Sequence, residues 1–437
     1  MASVILGDWT HRRGDAGGGR TVPAEIDKPR PTIAWSWTPE HGGRVDQVRV
    51  VGSTVVVATM MPRDSNAPGW EHAVIYVLDA ASGGEVARRV LPDAVPVAAM
   101  AVDSGIVHVV ATRKGEPIFW YALSPAELVP VHRRMVAIGD AVTHDDVLDA
   151  WATADGGLWL ELDATLLESG VRAHTYAFAP HDGGPAVTCL NDEHPTAANP
   201  PLARDACAGD RDLFVPLDGR WGGEADASPP VLSRLEPRPR TDAGTGPWAR
   251  ADLIGPRARI HALGGEDVIC AVAAAEDPAK PDRARFEAFA IDRATGALRW
   301  RATHDRIAIR SPLGDSARIA RRPNGELLFQ SLDAEGVPTT PLVGASSDGR
   351  LDEILLGARP YVLDAALGDL VLAHRENKEG RVEVGGFAID REGRLLGRRA
   401  VASWTLDAGD LGGGTTVYAG AGAVVVRGAL RVCAVRL

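Results

Sequence analysis

Short apolar runs separated by tight turns dominate the pattern of hydrophobic and polar positions along the chain. The segment VRVVGSTVVVATM at residues 48–60 places two valine-rich runs on either side of Gly-Ser. Such runs are typical of β-strands, and glycine beside a small polar residue is typical of a hairpin turn. No long segment shows a sustained helical period. One turn of helix could form within residues 125–138, although Pro130 argues against more. The pattern therefore predicts an all-β protein.

The same arrangement returns along the chain. Each copy has two apolar strands around a tight turn, a variable insertion, a third strand ending in Asp, and a weaker fourth strand. The clearest copies span 48–90, 259–303 and 361–401; the copies begin near residues 48, 99, 147, 204, 259, 317, 361 and 416. Repeated four-stranded antiparallel sheets without helices predict a single β-propeller. Eight starts favour eight blades, and seven remain possible because the fourth and sixth copies are degenerate.

The two ends of the chain fit one ring. The last copy reaches Leu437 after three strands, and TIAWSWT at residues 32–38 can supply the fourth. A blade built from both ends would close the ring and remove exposed strand edges. We therefore predict an N-terminal extension over residues 1–31 and one propeller domain over residues 32–437.

Charge and cysteine content narrow the class of protein. The 437 residues hold 47 Lys and Arg against 58 Asp and Glu, a net charge of −11, which argues against nucleic-acid binding. No stretch approaches the roughly 18 apolar residues of a membrane span, and the apolar run Val4-Ile5-Leu6 is too short for a secretory signal. The four cysteines are spaced too widely for a zinc site or redox pair, although Cys189 and Cys207 could pair. We expect a cytoplasmic protein with neither a membrane nor a nucleic-acid partner.

One blade carries a recognisable motif. The segment AIDRATGALRW resembles the Ala-x-Asp-x-x-Thr-Gly-x-x-x-Trp repeat of quinoprotein-type (PQQ-like) propellers; the matching residues are Ala290, Asp292, Thr295, Gly296 and Trp300. The resemblance implies that the Trp packs between adjacent blades and that Thr-Gly makes the tight turn before the outer strand. A second copy keeps Asp79, Ser82 and Gly83 but lacks the Trp. The family includes dehydrogenases and non-catalytic scaffolds such as the outer-membrane assembly lipoprotein, so the resemblance implies a fold and leaves the function open.

Catalytic and cofactor motifs are scarce in the sequence. The dehydrogenases of this family would imply bound pyrroloquinoline quinone, a metal beside it, a catalytic Asp and, in many members, adjacent cysteines, and this chain has no adjacent cysteines. Phosphate-binding and hydrolase motifs are absent too. We therefore expect no cofactor and no catalytic residue. Asp145, Asp146 and Asp149 are weak candidates for a Ca²⁺ site, and a solvated acidic turn is the alternative.

The insertions between second and third strands are the strongest candidates for recognition. They cover residues 62–72, 163–173, 217–228, 276–285 and 375–384. These connections emerge on the same face as the inter-blade connections, where variable loops on a rigid scaffold often bind partners. The partner-binding candidates are Trp70, Glu71, Trp221 and Trp248, because Trp is favoured at binding hot spots. Trp248 lies in a Pro-rich, locally basic segment. The alternative is that these are tolerated insertions folded onto the rim.

The sequence thus predicts a non-catalytic propeller that binds another protein as a scaffold subunit of a cytoplasmic complex. Two alternatives remain. One is an enzyme acting on a sugar or small polar metabolite at the mouth of the central channel, and the other is an exported envelope protein. Carboxylates and histidines with shifted pKa values, gathered at the channel mouth, would favour the enzyme.

Overall fold

A computed structural model gives the fold of most of the chain. It describes residues 21–22, 31–62, 70–91, 97–103, 105–111, 118–136, 147–153, 156–166, 171–179, 186–189, 207–208, 212–217, 229–236, 247–255, 258–264, 268–277, 280–309, 316–333, 335–357, 360–390, 397–420 and 423–437. Among these residues no helix is both long enough and apolar enough to cross a bilayer.

The described strands form six four-stranded antiparallel sheets and one nine-stranded sheet. Apart from one short strand at its edge, the nine-stranded sheet divides into two antiparallel groups of four where two strands pair in parallel, and we number the eight groups as blades in chain order. Strand β1 (Thr21–Val22) precedes the blades in the chain. Within each blade we name the strands from the innermost to the outermost position. The first four blades are blade one, β3 (Arg44–Val51), β4 (Thr54–Pro62), β5 (Trp70–Asp79) and β6 (Glu85–Leu91); blade two, β7 (Val97–Asp103), β8 (Ile106–Ala111), β9 (Ile118–Leu123) and β10 (Pro130–Val136); blade three, β11 (Val147–Ala152), β12 (Leu158–Leu166), β13 (Val171–Ala179) and β14 (Ala186–Cys189); blade four, β15 (Cys207–Ala208), β16 (Leu213–Leu217), β17 (Val231–Leu235) and β18 (Trp248–Arg250).

The remaining four blades follow the same order. They are blade five, β19 (Ala258–Leu263), β20 (Val268–Asp277), β21 (Lys280–Asp292) and β22 (Leu298–Ala308); blade six, β23 (Ser316–Arg321), β24 (Leu327–Leu332), β25 (Leu342–Ala345) and β26 (Leu351–Leu355); blade seven, β27 (Val362–Leu367), β28 (Leu370–Glu376), β29 (Arg381–Asp390) and β30 (Arg398–Asp410); blade eight, β31 (Thr416–Gly420), β32 (Ala423–Arg427), β33 (Val432–Arg436) and β2 (Thr32–Trp37). A single 3₁₀ turn, Glu40–Gly42, joins β2 to β3.

The predicted all-β propeller fold is confirmed. The inner strands begin within a few residues of the starts of the sequence copies, from β3 at Arg44 to β31 at Thr416. The turn of helix considered for residues 125–138 is a single closed turn, in which the Leu128 N–H donates to the Ser124 carbonyl, followed directly by β10.

The N-terminal and C-terminal parts of the propeller share blade eight. Strand β2 pairs antiparallel with β33, from Thr32 opposite Arg436 to Trp37 opposite Val432. The innermost strand of the same blade, β31, contacts the innermost strand of blade one, β3. The segment TIAWSWT therefore supplies the outer strand of blade eight, whose other three strands are β31, β32 and β33.

The apolar core lies between the faces of neighbouring blades. One cluster joins blade seven, blade eight and blade one, and another joins blade one to blade two. Within β4, all four side chains of Val55–Val57 and Ala58 are buried, with alternate residues facing opposite neighbours. A sheet covered on both faces needs apolar residues at every position, which explains the uninterrupted valine runs.

Part of the N-terminal extension also pairs with the propeller. Strand β1 lies parallel to β27, with Thr21 opposite Ala366 and Val22 opposite Leu367. Because β27 is the innermost strand of blade seven, β1 adds to the edge that faces the centre of the ring.

Three of the predicted recognition insertions are mostly paired strand rather than loops. Residues 163–173 belong mainly to β12 and β13, which pair from Asp163 opposite His174 to Leu166 opposite Val171. Strand β20 extends to Asp277 and β21 starts at Lys280, so most of residues 276–285 is paired strand. Residues 375–384 likewise belong mainly to β28 and β29, joined by a turn in which the Asn377 side chain accepts the N–H groups of Glu379 and Arg381. The prediction of variable loops at these three places was wrong. Polar and charged side chains at the end of a hairpin are solvated whether or not their backbone pairs, so the sequence does not separate the two cases.

Blades six and seven are joined by a buried ionic network of Arg322, Glu326, Asp352 and Arg398. Glu326 is 1% exposed and accepts Arg322 Nη1 at 2.9 Å, and its other oxygen contacts Arg398 Nη1. Arg398 also approaches Asp352, with 3.6 Å between Nε and Oδ2. Beside this network β26 and β30 pair in parallel, with Ile354 opposite Arg398. Burial, reinforced by the positive charge of Arg322, lowers the pKa of Arg398.

Candidate functional site

The Asp-x-x-Thr-Gly motif of blade five folds as a closed turn. Asp292 Oδ1 accepts the backbone N–H and the hydroxyl of Thr295, both at 2.8 Å, and Gly296 adopts a φ of +71°. A positive φ favours glycine at this position. The neighbouring Arg299 guanidinium and these Thr295 hydrogen bonds lower the pKa of Asp292 to about 2. The turn leads directly into β22, as the family resemblance implies.

Trp248 lies against this turn from the outer strand of blade four. Its Nε1 donates to the Arg293 carbonyl at 3.0 Å, and a Cβ on Gly296 would lie 2.9 Å from its ring. The partner-binding candidate therefore has a packing role at the junction of blades four and five, where it is half-buried. Much of the Pro-rich segment before it lies outside the described residues.

Blade one repeats the arrangement with other residues. Ser82 donates its N–H and hydroxyl to Asp79 Oδ1, and the Trp35 ring packs on Gly83, whose φ is +70°. Trp35 Nε1 donates to the Ala80 carbonyl at 2.8 Å. Both tryptophans precede the accepting carbonyl by 45 residues, so each outer strand is fastened to the next blade in the same way. That common spacing is the sequence feature that could have identified Trp35 and Trp248 as packing residues.

The remaining motif residues also have packing roles. Ala290 is buried on β21, and Trp300 on β22 is partly buried against an apolar cluster that spans blades five and six. Trp300 thus lies between adjacent blades.

Of the acidic metal candidates only Asp149 lies among the described residues. Asp145 and Asp146 lie outside the described residues. Asp149 is buried on β11, and its Oδ1 accepts the Ala150 N–H at 2.9 Å. Among the described residues no group of three or more His, Cys, Asp and Glu side chains is placed to hold a metal ion.

Several acids and histidines lie on the described inner strands, where the alternative of a channel enzyme would need them: Asp46, Asp103, Asp149, His261 and Asp364. Asp364 on β27 is fully buried and bonds Arg318 Nη1 at 2.6 Å and His374 Nδ1 at 2.8 Å. Burial raises the pKa of Asp46 on β3, against the opposing effect of Arg427, Arg44 and Arg49. Asp364 of blade seven is thus held by one arginine and one histidine, and Asp46 of blade one lies near three arginines.

The described cysteines and titratable side chains do not fit the quinone chemistry that the family resemblance implies. Cys270 and Cys433 are single buried thiols in blades five and eight, and burial raises the pKa of each thiol to about 11. The described residues therefore supply neither the adjacent cysteines nor a metal-binding group, and we derive no step through a quinone.

The remaining partner-binding candidates are only partly described. Trp70 begins β5 opposite Pro62, with its side chain outside the described set, and Trp221 lies wholly outside it. Glu71 is exposed on β5. It lies at a β-bulge, because the register of β4 and β5 shifts between Met61 opposite His72 and Pro62 opposite Trp70.

An apolar and basic surface lies at the outer rim of the junction between blades one and two. We define the blade one–two rim by Arg89, Phe119, Val131, Arg133 and Met135. Val131 and Met135 are 57% and 58% exposed on β10, and the Arg133 guanidinium lies 4.3 Å from the centre of the Phe119 ring. Arg89 of β6 reaches across to the Leu128 carbonyl at 3.2 Å. The rim was not identified from the sequence, although the alternation in PVHRRMV is visible there.

A buried aromatic and histidine group lies on the other face of blade two. Trp120 Nε1 donates to His108 Nδ1 at 3.0 Å, and the His132 ring stands edge-on to Trp120 with ring centres 4.7 Å apart. Burial, with a smaller contribution from His132, lowers the pKa of His108 to about 4. Neutral His108 is the form that can accept the Trp120 N–H.

We predict that His108 makes the fold acid-sensitive between pH 6.5 and pH 4. Its pKa rises from about 4 in the folded chain to its ordinary value of 6.5 on unfolding, so stability is complete above pH 6.5 and falls as pH decreases. The expected loss is about 2 kcal/mol by pH 5. Urea unfolding between pH 7 and pH 4.5 should show a shallower decline for His108→Gln than for wild type. His41→Gln, at an exposed histidine, should keep the wild-type slope; equal slopes for all three would contradict the prediction.

Comparison with known proteins supports the propeller architecture and gives no closer assignment. No protein-family model and no curated protein sequence matches the chain. Two quinohemoprotein alcohol dehydrogenases are similar in structure, with TM-scores of 0.53. The enzyme from Comamonas testosteroni is 11% identical, with 98% of this chain and 80% of that chain covered, and the one from Pseudomonas putida is 12% identical, with 99% and 80% covered. BamB from Moraxella catarrhalis aligns over 93% of this chain and 100% of its own, at 10% identity and a TM-score of 0.49. At these identities the likeness establishes the fold: this chain is a β-propeller similar in architecture to the quinohemoprotein alcohol dehydrogenases.

Proposed function

We propose that this chain is a PQQ-like propeller of the non-catalytic branch that binds another protein as a scaffold subunit of a cytoplasmic complex. The observation that carries the proposal is the blade one–two rim, where exposed aliphatic side chains surround an arginine stacked on an aromatic ring. Aromatic residues, Met and Arg are the types enriched at protein interfaces.

The charge of the rim indicates which partner it fits. Arg89 and Arg133 are placed among apolar side chains in a protein whose net charge is −11. A partner segment with one or two acidic residues beside an apolar residue would complement the rim, because local opposite charge gives specificity and a faster encounter. Met135 would contribute adaptable apolar contact.

The test is affinity capture from the native cells with a matched pair of variants. The rim variant is Arg133→Ala with Met135→Ala, and the control is Leu298→Ala with Arg299→Ala, an aliphatic and arginine pair on the outer strand of blade five. We expect a stoichiometric partner in wild type and in the control, and at least a tenfold loss of that partner in the rim variant. Fractionation should place the complex in the cytoplasm.

Other outcomes would overturn the proposal. Capture of the same partner at equal yield by both variants would remove the rim as the binding surface. A wild-type chain that captures no stoichiometric partner would contradict the scaffold role itself. Circular dichroism melts of both variants check that the loss arises from the surface and not from unfolding.

A further inference from the structure

The pairing of β1 gives the N-terminal extension a direction inside the ring. We call the face where the inner strands begin the upper face, and the face where they end the lower face. Strand β1 is parallel to β27, the innermost strand of blade seven, and Val22 lies opposite Leu367 at the lower end of that strand. Because the two strands are parallel, β1 also runs from the upper face toward the lower face. The chain that precedes Thr21 therefore approaches from the upper side.

The strand that follows β1 in the chain agrees with this direction. Strand β2 starts at Thr32, opposite Arg436 at the end of β33. As the third strand of an antiparallel blade, β33 runs in the same direction as an inner strand, so Thr32 lies at the lower face. The nine residues 23–31 connect Val22 to Thr32. A chain of that length spans up to about 30 Å, which is enough to pass beneath the four strands of blade eight at roughly 5 Å per strand interval.

Strand β27 is covered along its whole length, beyond the two residues that β1 pairs with. All six of its residues, Val362–Leu367, are buried. Each of the other inner strands of five or more residues has at least one residue that is partly or fully exposed. The inner edge of blade seven is therefore the most enclosed of these inner edges, although only Ala366 and Leu367 face β1.

A bulge near the upper end of four inner strands shows the difference most clearly. The bulged residues of blades one, two, three and seven are Asp46, Ala98, Leu148 and Asp364. Leu148 is 42% exposed and both Asp46 and Ala98 are partly exposed, whereas Asp364 is 0% exposed. Asp364 bonds an arginine and a histidine, and Asp46 also has arginines beside it, so charged neighbours alone do not distinguish the two positions. The upper half of β27 is thus enclosed where the equivalent residues of other blades remain accessible.

The sequence before β1 suits a path along this enclosed edge. Counting back from Thr21 opposite Ala366 in the same register places Arg20 beside Ala365 and Gly19 beside Asp364. Residues 17–19 are all glycine. Glycine lets another backbone approach closely, which is what a strand needs where the inner strands of eight blades converge.

We propose that residues 17–22 thread the central channel as a parallel strand added to the inner edge of β27, and that residues 1–16 leave the ring at the upper face. The occupant of this edge is the N-terminal segment of the same chain. A ligand that enters the channel beside blade seven would have to displace it. The upper face also holds Trp70, at the start of β5, so the segment leaves the ring on the face that the sequence predicted for recognition. The channel is separate from the blade one–two rim, so this inference does not depend on the proposed partner.

Distances between pairs of spin labels test the direction of the segment. One label is placed at Gly14→Cys, and the second at either Lys378→Cys or Asp369→Cys, in a chain with Cys189 and Cys207 replaced by Ser. Lys378 and Asp369 are both exposed and lie just beyond the upper and lower ends of β28, roughly 20 Å apart. The label at position 14 should be nearer to the upper site than to the lower site by at least about 10 Å.

A matched pair of double variants tests the strand pairing itself. Replacing both Thr21 and Val22 with Pro removes the two backbone N–H groups of β1, whereas replacing both with Ala keeps them. Amide exchange in Val362–Leu367 should be at least tenfold faster in the Pro variant than in the Ala variant, because the channel edge of β27 is then uncovered. The distance from position 14 to the upper site should become broadly distributed in the Pro variant alone. Thermal melts must show that both variants stay folded.

Two results would overturn the inference. One is a label at position 14 that lies nearer to the lower site than to the upper site, since the segment would then leave the ring at the opposite face. The other is equal exchange of the β27 amides in the folded Pro and Ala variants, which would show that β1 does not cover this edge. Failure of partner capture by wild type or by the blade one–two rim variant would leave both readouts unchanged.

Discussion

Replacing Glu326 with Ala should lower the free energy of unfolding by about 3–5 kcal/mol, one of the two largest effects we expect from a single substitution here. Glu326 is 1% exposed and stands between two buried arginines, Arg322 and Arg398. Removing its carboxylate takes the Glu326 ion pair from Arg322 and leaves Arg398 with only the longer contact to Asp352, while both guanidinium groups stay buried. An unpaired buried charge costs several kcal/mol, far more than the net value of an ion pair at the surface.

Urea unfolding at pH 7 measures this effect, with Glu335→Ala as the matched control. Glu335 is an exposed acid in the same blade, so its removal should change stability by less than about 0.5 kcal/mol. A second comparison removes both Glu326 and Arg398: Glu326→Leu with Arg398→Met should lose less than the sum of the two single variants, because only Arg322 then lacks the Glu326 carboxylate, whereas Glu326→Leu alone takes it from two arginines. Equal midpoints for Glu326→Ala and Glu335→Ala would show that the network does not stabilise the junction of blades six and seven.

The blade pattern was readable from the sequence because local and global preferences agree. The runs in β3 and β4 are valine-rich, which favours strands, and they are apolar at successive positions, which a sheet covered on both faces requires. Gly52, with a φ of +56°, marks the hairpin turn between them. At the charged ends of the β20–β21 and β28–β29 hairpins the sequence pattern did not predict strands. Lys280 and Arg381 lie on paired strands that extend into solvent, where the side chains are polar in a strand and in a loop alike.

The roles of surface residues were harder to predict because they depend on contacts between blades. Trp248 follows a Pro-rich segment and therefore resembles a loop tryptophan in the sequence. Its packing role depends on a hydrogen-bond acceptor, the Arg293 carbonyl, that lies 45 residues away in the next blade. The blade one–two rim combines Arg89 of one blade with Phe119 and Met135 of another. Alternation along β10 shows that Val131, Arg133 and Met135 share a face, but only the packing of two blades decides that this face is open to solvent.

The second large effect on stability comes from the packing of Trp35 on Gly83. A comparison of Gly83→Ala with Gly105→Ala isolates the contribution of that packing. Gly83→Ala should cost about 1–2 kcal/mol for the positive φ of +70° and a further few kcal/mol because the added Cβ would lie 2.6 Å from the Trp35 ring. Gly105 has a φ of +73° and nothing within 4 Å of an added Cβ, so Gly105→Ala should show the backbone cost alone. The difference between the two variants then measures the displacement of Trp35.

Trp35→Ala should resemble Gly83→Ala and not Gly105→Ala. Loss of a buried tryptophan that also donates to the Ala80 carbonyl is expected to cost about 3–5 kcal/mol. Because Trp35 lies on β2, amide hydrogen exchange should increase mainly in β33, the partner of β2, and in the turn at Asp79–Gly83. If Gly83→Ala and Gly105→Ala lose the same stability, the tryptophan does not fasten blade eight to blade one. The pairing of β2 with β33 and the contacts of blade eight with β3, including the hydrogen bond from the Val45 N–H to the Ala429 carbonyl, would then hold the two blades together.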